Sequence, residues 1–143
     1  MAMLTAQDLD TAIAFPFLPF RGGKLDLEAH RKNAAYLVRD CLLDKGRRRV
    51  IAIGGSSLLH HVTPDEQMEV VRILCEAAGS RASFISAVLP TPLAQAAGLV
   101  RRQLSLARPP DAVLLLPMIG GYNPDGVFRE LRAFCETLGR ETG

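Results

Sequence analysis

One stretch constrains the fold of this chain more than any other: Val50 to Met68, VIAIGGSSLLHHVTPDEQM. Val50, Ile51, Ala52 and Ile53 are apolar without alternation, the pattern of a parallel strand buried on both faces. Gly54, Gly55, Ser56 and Ser57 follow, small enough to let the backbone turn at the strand's carboxyl end and approach a ligand closely. Thr63, Pro64, Asp65 and Glu66 then spell a helix start: Thr63 caps, Pro64 fits the first helical position, and Glu66 reaches back to complete a capping box. Ligands of parallel α/β folds bind beyond the carboxyl ends of the strands, so Gly55, Ser56 and Ser57 are the first candidate binding residues. The same Gly-Gly-Ser-Ser also suits a tight connection with no chemistry of its own.

The pattern repeats along the chain. Thr11 to Phe17 (TAIAFPF) reads as a first strand ended by Pro16, after a polar lead-in from Met1 to Leu9, and Phe20 to Lys24 reads as a turn. A helix over Leu25 to Leu43 carries Leu27, His30, Ala34, Leu37, Val38 and Cys41 on one stripe, with His30 a packed or partly exposed helix histidine rather than a ligand. Lys45 to Arg49 (KGRRR) lies at the amino ends of the strands, opposite the expected site, and reads as a solvated connection.

The Thr63-capped helix uses Met68, Val71, Leu74, Cys75 and Ala78, and Gly79 stops it. A third strand covers Ser83 to Val88, and Thr91 and Pro92 repeat the Thr-Pro start for a helix with Leu93, Ala96, Ala97, Val100 and Leu104 on its stripe. Pro109 and Pro110 end that unit, Ala112 to Leu116 is a fourth strand, and a last helix starts at Asn123 and Pro124, uses Val127, Leu131, Phe134 and Leu138, and ends near Gly139.

Four βα units with parallel strands and right-handed crossovers follow, an α/β chain in one domain over residues 1–143. They make half of a (β/α)8 barrel, or alternatively a small doubly wound parallel sheet. Half a barrel leaves unpaired edges, for which self-association into a homo-oligomer or a missing carboxyl-terminal half is the natural remedy.

Composition narrows the function. With 17 Lys and Arg against 15 Asp and Glu, and six Phe and two Tyr without basic interleaving, no nucleic-acid partner is expected. No apolar window reaches membrane-spanning length and no leader pattern opens the chain, so neither a membrane partner nor export is expected. Cys41, Cys75 and Cys135 are scattered within predicted helices and suggest reduced, buried thiols in the cytoplasm. His60 and His61 share the second strand-to-helix loop, but a metal would need a third ligand where only Asp65 and Glu66 are near, so no metal or other cofactor is expected. A Ser56 or Ser57 nucleophile with His60 as base lacks both a GxSxG elbow and an orienting carboxylate. Walker and GxGxxG phosphate loops are absent.

In order and spacing, TAIAFPF, LDLEAHRKNAAYLV, IAIGGSSLLHHVTPDE and DAVLLLPMIGGYNPDGVFREL resemble the amino-terminal half of the dihydrodipicolinate synthase and N-acetylneuraminate lyase family. The resemblance implies a (β/α)8 TIM barrel, usually tetrameric, and class I aldolase or related lyase chemistry on pyruvate or another 2-oxo acid through a lysine Schiff base. The small-residue loop before TPDE stands where the family has Gly-Thr-Thr-Gly-Glu before Thr-Pro-Glu-Glu. Gly54 takes the leading Gly, Gly55 the first Thr, Ser56 the second Thr, Ser57 the second Gly and Leu58 the Glu. The resemblance makes Gly55, Ser56 and Ser57 a cradle for the substrate carboxylate and Ser56 a relay hydroxyl, while Gly55 and Leu58 lose a hydroxyl and a carboxylate. The double Gly matches a Gly-Gly-Thr-Gly-Glu version found in the dehydratase branch.

Two departures limit what is carried over. Pro117, Met118, Ile119 and Gly120 occupy the family's Pro-Pro-Tyr-Tyr run, leaving Tyr122, displaced by two or three residues, as the candidate relay tyrosine. The family's acid-base tyrosine and Schiff-base lysine stand on later strands, and Lys24, Lys32 and Lys45 are all placed away from a strand's carboxyl end. The expectation is therefore a chain that holds an anion without imine chemistry, inactive alone as a lyase.

Overall fold

The computed structural model describes residues 4–39, 49–90, 92–117 and 123–142. Its main sheet contains four parallel strands, β1 (Ile13–Ala14), β4 (Arg49–Ala52), β5 (Ala82–Val88) and β6 (Ala112–Leu115), in spatial order β1-β4-β5-β6. Helices α1 (Leu27–Arg39), α2 (Pro64–Ala78), α3 (Leu93–Leu104) and α4 (Pro124–Thr142) follow the strands in turn, and each packs on the next.

That order decides between the two architectures read from the sequence. A doubly wound sheet reverses direction at a switch point and puts helices on both faces. Here each new strand is added on the same side of the last, and right-handed crossovers then place every helix on one face. The result is four consecutive units of a (β/α)8 arrangement.

Register sorts the side chains. Ile51 pairs with Phe84, whereas Ala52 pairs with Ile85 and Ile85 with Ala112, so alternate positions face opposite sides. Ile51, Ile53, Ala82 and Phe84 join Ala34 and Val38 of α1 and Val70, Val71, Ile73 and Leu74 of α2 in the main core. Val88 instead packs with Ala96 and Val100 of α3 and Leu138 of α4. Polar links tie helices to the sheet: Gln67 donates its amide to the Ala87 carbonyl at 2.6 Å, and the Ser86 hydroxyl donates to the Gln103 side-chain oxygen. At the amino ends of the strands, Arg108 bonds the carbonyls of Gly79 and Ala82, both at 3.1 Å, and pairs with Asp111, whose carboxylate also accepts from the Phe84 N–H at 2.8 Å.

Several boundaries differ from expectation. The first strand is two residues rather than seven, because Pro16 cannot donate to a ladder and the chain leaves the sheet after Ala14. The expected turn at Phe20 to Lys24 is a hairpin, β2 (Phe20–Arg21) with β3 (Lys24–Leu25), closed by Gly22 and Gly23 at φ of 57° and 77°. Pro92 stands at the N-cap of α3 rather than its first helical position, and Thr91 lies outside the described residues. Helix α4 runs through Gly139 to Thr142, its last turn tied to α3 by a 2.6 Å Arg101–Glu141 ion pair. Of the thiols, Cys75 is buried as expected but Cys135 is exposed; Cys41 is outside the described residues. Burial pushes the Cys75 thiol up to about 12, which removes it from nucleophilic duty.

Candidate functional site

The strand-end loop takes its shape from the residues on either side. Downstream, the Thr63 hydroxyl accepts from the Glu66 N–H at 3.2 Å and the Thr63 N–H donates to the Glu66 carboxylate at 2.8 Å, the reciprocal box expected from the sequence. Upstream, β4 delivers Gly54 in extended conformation beside β1. A Cβ here would lie 3.2 Å from the Phe15 ring and 4.0 Å from Leu114, so any larger residue needs the Phe15 ring to give way by a few tenths of an ångström.

Between these fixed points the loop folds into two short 3-10 turns, Gly55–Ser57 and Leu59–His61. Leu58 joins them at φ 61° and ψ 34°, the only described non-glycine residue in the left-handed region. Such a conformation costs a branched residue about 1–2 kcal/mol, and it sits where a binding loop must hold a fixed shape.

The turn separates the two serines. Ser57 is fully buried, and its hydroxyl accepts from the Gly54 N–H at 3.2 Å, closing the turn on itself. Ser56 and Gly55 face solvent. Among the described residues, no hydrogen bond engages the N–H of Gly55 or Ser56, or the Ser56 hydroxyl. The outward-facing donors are therefore two backbone N–H groups and one hydroxyl, beside an apolar floor of Phe15 and Leu114, 43% and 41% exposed. Donors of this kind with no cation among them suit a carboxylate.

His60 and His61 are exposed, with ring centroids 4.2 Å apart, and His61 meets Phe20 of the hairpin edge-on at 6.4 Å. Together with Gly23 and Leu58, Phe20 and His61 border a recess of about 290 Å³. A larger groove of about 510 Å³ lies between the start of α2 and α3, bordered by His60, Gln67 and Arg102, and does not include Gly55 to Ser57. Among the described residues no three His, Cys, Asp or Glu side chains converge as metal ligands.

His30 is fully buried between α1 and α2. Its Nε2 lies 3.3 Å from the Val70 carbonyl and its Nδ1 has no partner. Burial lowers its pKa below the ordinary 6.5, so it is a neutral packing residue.

Tyr122 lies outside the described residues, as does Lys45. Lys24 is in the hairpin strand β3, and Lys32 pairs with Glu28 at 2.7 Å on the exposed face of α1. Neither makes a described hydrogen bond or ion pair with the strand-end loop. What sequence reading missed here is Phe15: its place in TAIAFPF marks it as a strand-end residue, but only the register shows its ring against Gly54.

No family model matches the sequence, and no curated protein does. Solved structures do match. A dihydrodipicolinate synthase from Bacillus clausii superposes with a TM-score of 0.78 at 26% identity, over 94% of this chain and 44% of that one. An N-acetylneuraminate lyase from Mycoplasma synoviae gives 0.76 at 17% identity over 95% of this chain and 44% of that one. A dihydrodipicolinate synthase from Rhodopseudomonas palustris gives 0.75 at 16% identity over 99% and 44%. The chain thus spans less than half the length of these proteins and has the fold of that part of them. The resemblance carried by the four sequence motifs is borne out.

Proposed function

We propose that this chain carries the carboxylate-binding half of a lyase or aldolase site for pyruvate or another 2-oxo acid, and that these residues alone perform no Schiff-base chemistry. The observation that carries the reading is the outward-facing set at the carboxyl end of β4: the Gly55 and Ser56 N–H groups and the Ser56 hydroxyl, all without described partners. The likeness to a dihydrodipicolinate synthase at 26% identity supports the substrate class.

Each residue has a distinct part. Gly55 and Ser56 donate to the carboxylate, and Ser56 alone has a hydroxyl free to pass a proton onward. Ser57, expected from the sequence among the binding residues, contributes by holding the turn through the Gly54 N–H. Phe15 and Leu114 exclude water beneath the bound anion. Tyr122 is retained as a relay candidate by its place after the fourth strand alone. An imine needs an unprotonated amine at the strand ends, and no described lysine is there.

Equilibrium binding of pyruvate tests this together with borohydride trapping. The expected result is weak saturable binding that Ser56→Ala weakens about tenfold, the loss of one charge-assisted hydrogen bond, with no trapped adduct by mass spectrometry. Binding unchanged in Ser56→Ala, or a trapped adduct on Lys24 or Lys32, contradicts it. A Ser-His hydrolase reading is not favoured: the Ser57 hydroxyl is enclosed in its own turn, and among the described residues no hydrogen bond joins Ser56 to His60 or His60 to a carboxylate.

A further inference from the structure

We propose that the strand-end site prefers 2-oxo acids with an apolar chain beyond the carbonyl, over pyruvate itself and over hydroxylated 2-oxo acids, and that Phe15 and Leu114 set this preference. The inference rests on the carboxylate reading of Gly55 and Ser56 and names what lies beside the bound carboxylate.

Register decides which residues line the helix-free side of the sheet at the carboxyl ends of the strands. Ile13 pairs with Val50, and Ala52 pairs with Ile85, which pairs in turn with Ala112. Alternation then carries Phe15, Gly54 and Leu114 to that same side. Phe15 comes just after β1, Gly54 just beyond β4, and Leu114 from within β6.

These three converge. The Phe15 ring comes within 3.2 Å, and a Leu114 methyl within 4.0 Å, of the place where a Gly54 Cβ would stand. Strand β5 lies between β4 and β6, and two strand spacings are about 9–10 Å in a flat sheet. Contact between Leu114 and Gly54 therefore makes this face concave, with an aromatic ring and a branched alkyl group closing on Gly54 from either side.

That apolar wall adjoins the donors. Gly55 follows Gly54 directly, and consecutive Cα atoms are about 3.8 Å apart. With its carboxylate on the Gly55 and Ser56 N–H groups, a 2-oxo acid carries its third and later carbons about 2.5–5 Å from the carboxylate carbon, enough to cross that one-residue step.

The wall's chemistry sorts the candidates. Neither Phe15 nor Leu114 can hydrogen-bond, and the buried Ser57 hydroxyl is already engaged by the Gly54 N–H at 3.2 Å. A hydroxyl on the third carbon would give up its water there without a partner. Each methylene buried against the wall instead gains about fourfold in affinity.

Titration of this chain with pyruvate, 2-oxopentanoate and 3-hydroxypyruvate, read at the Gly55 and Ser56 amides, tests this. 2-Oxopentanoate, longer than pyruvate by two methylenes, should bind about tenfold tighter, and 3-hydroxypyruvate no tighter than pyruvate. Intermolecular nuclear Overhauser contacts should join the 2-oxopentanoate chain to the Phe15 ring and the Leu114 methyls. Phe15→Ala and Leu114→Ala should each lower the ratio of 2-oxopentanoate to pyruvate affinity at least about threefold. General loosening of the loop weakens both acids alike and leaves that ratio unmoved. Pyruvate bound at Gly55 and Ser56 with 2-oxopentanoate no tighter, or with 3-hydroxypyruvate tighter, overturns the preference and leaves the carboxylate reading standing. No shift at Gly55 and Ser56 with any of the three acids overturns both. The affinities and contacts of the unsubstituted chain decide the matter even if neither variant folds.

Discussion

Helices α2 and α4 have equally clear apolar stripes in sequence but opposite fates in the fold. Helix α2 buries Gln67, Val70, Val71, Ile73, Leu74, Cys75 and Ala78 between α1, α3 and the sheet. The longer α4 buries Leu138, half-buries Phe134, and leaves Phe128 64% exposed. The strands below repeat the contrast: β5 is buried along nearly its whole length, and β6 is half-open. A helix's stripe states which face wants cover, but the number of neighbours decides how much it gets. The β4-β5-α2 region is a finished core, whereas β6 and α4 are finished on one side only.

The largest test of that contrast is paired truncation. Phe84→Ala, in the finished core at 0% exposure, should cost about 3–5 kcal/mol in urea denaturation. A loss under about 1 kcal/mol would mean that the core is not the stabilising region. Next comes pH. His30 is held neutral by burial in the same region, so the folded chain resists a proton that the unfolded chain accepts at its ordinary 6.5. Stability should be at its full value above 6.5, fall as the pH drops below it, and level off only below the lowered folded value. His30→Asn should flatten the urea midpoint between about pH 7.5 and 5.5; an unchanged slope would assign the dependence to another group.

Smaller effects probe the loop and the open side. Leu58→Gly removes the left-handed penalty and should stabilise by up to about 1 kcal/mol; destabilisation would show that Leu58 packing outweighs its backbone cost. Phe128→Ser on α4 should change stability by less than about 0.5 kcal/mol in the monomer. A larger loss there would erase the distinction between the two regions.

The finished region is also where the sequence was most legible. Thr63-Pro64-Asp65-Glu66 and Gly79 mark both ends of α2 because capping is local chemistry, and both ends stand where those residues put them. The Phe20–Leu25 hairpin was not legible as strands, since two-residue strands have no periodicity; its one signal was Gly22-Gly23, the pair a primed turn demands. The end of α4 was misread at Gly139 because a glycine stops a helix only when nothing beyond it is held, and here Glu141 is held by Arg101. In the loop, composition pointed to Gly55, Ser56 and Ser57 alike. Which serine faces outward depends on a 3-10 turn whose closure on the Gly54 N–H leaves no trace in residue types. The covering of Gly54 by Phe15 is a contact between strands distant in sequence, set by register.

The central claim is that the carboxyl end of β4 holds a 2-oxo acid carboxylate through Gly55 and Ser56. A pyruvate titration followed by amide proton-nitrogen correlation spectra tests it most directly. The account predicts saturable shifts centred on the Gly55 and Ser56 amides, with the Gly54 amide, committed to Ser57, moving least within the loop. Silence at Gly55 and Ser56, or shifts centred on His60 and His61 instead, would contradict it.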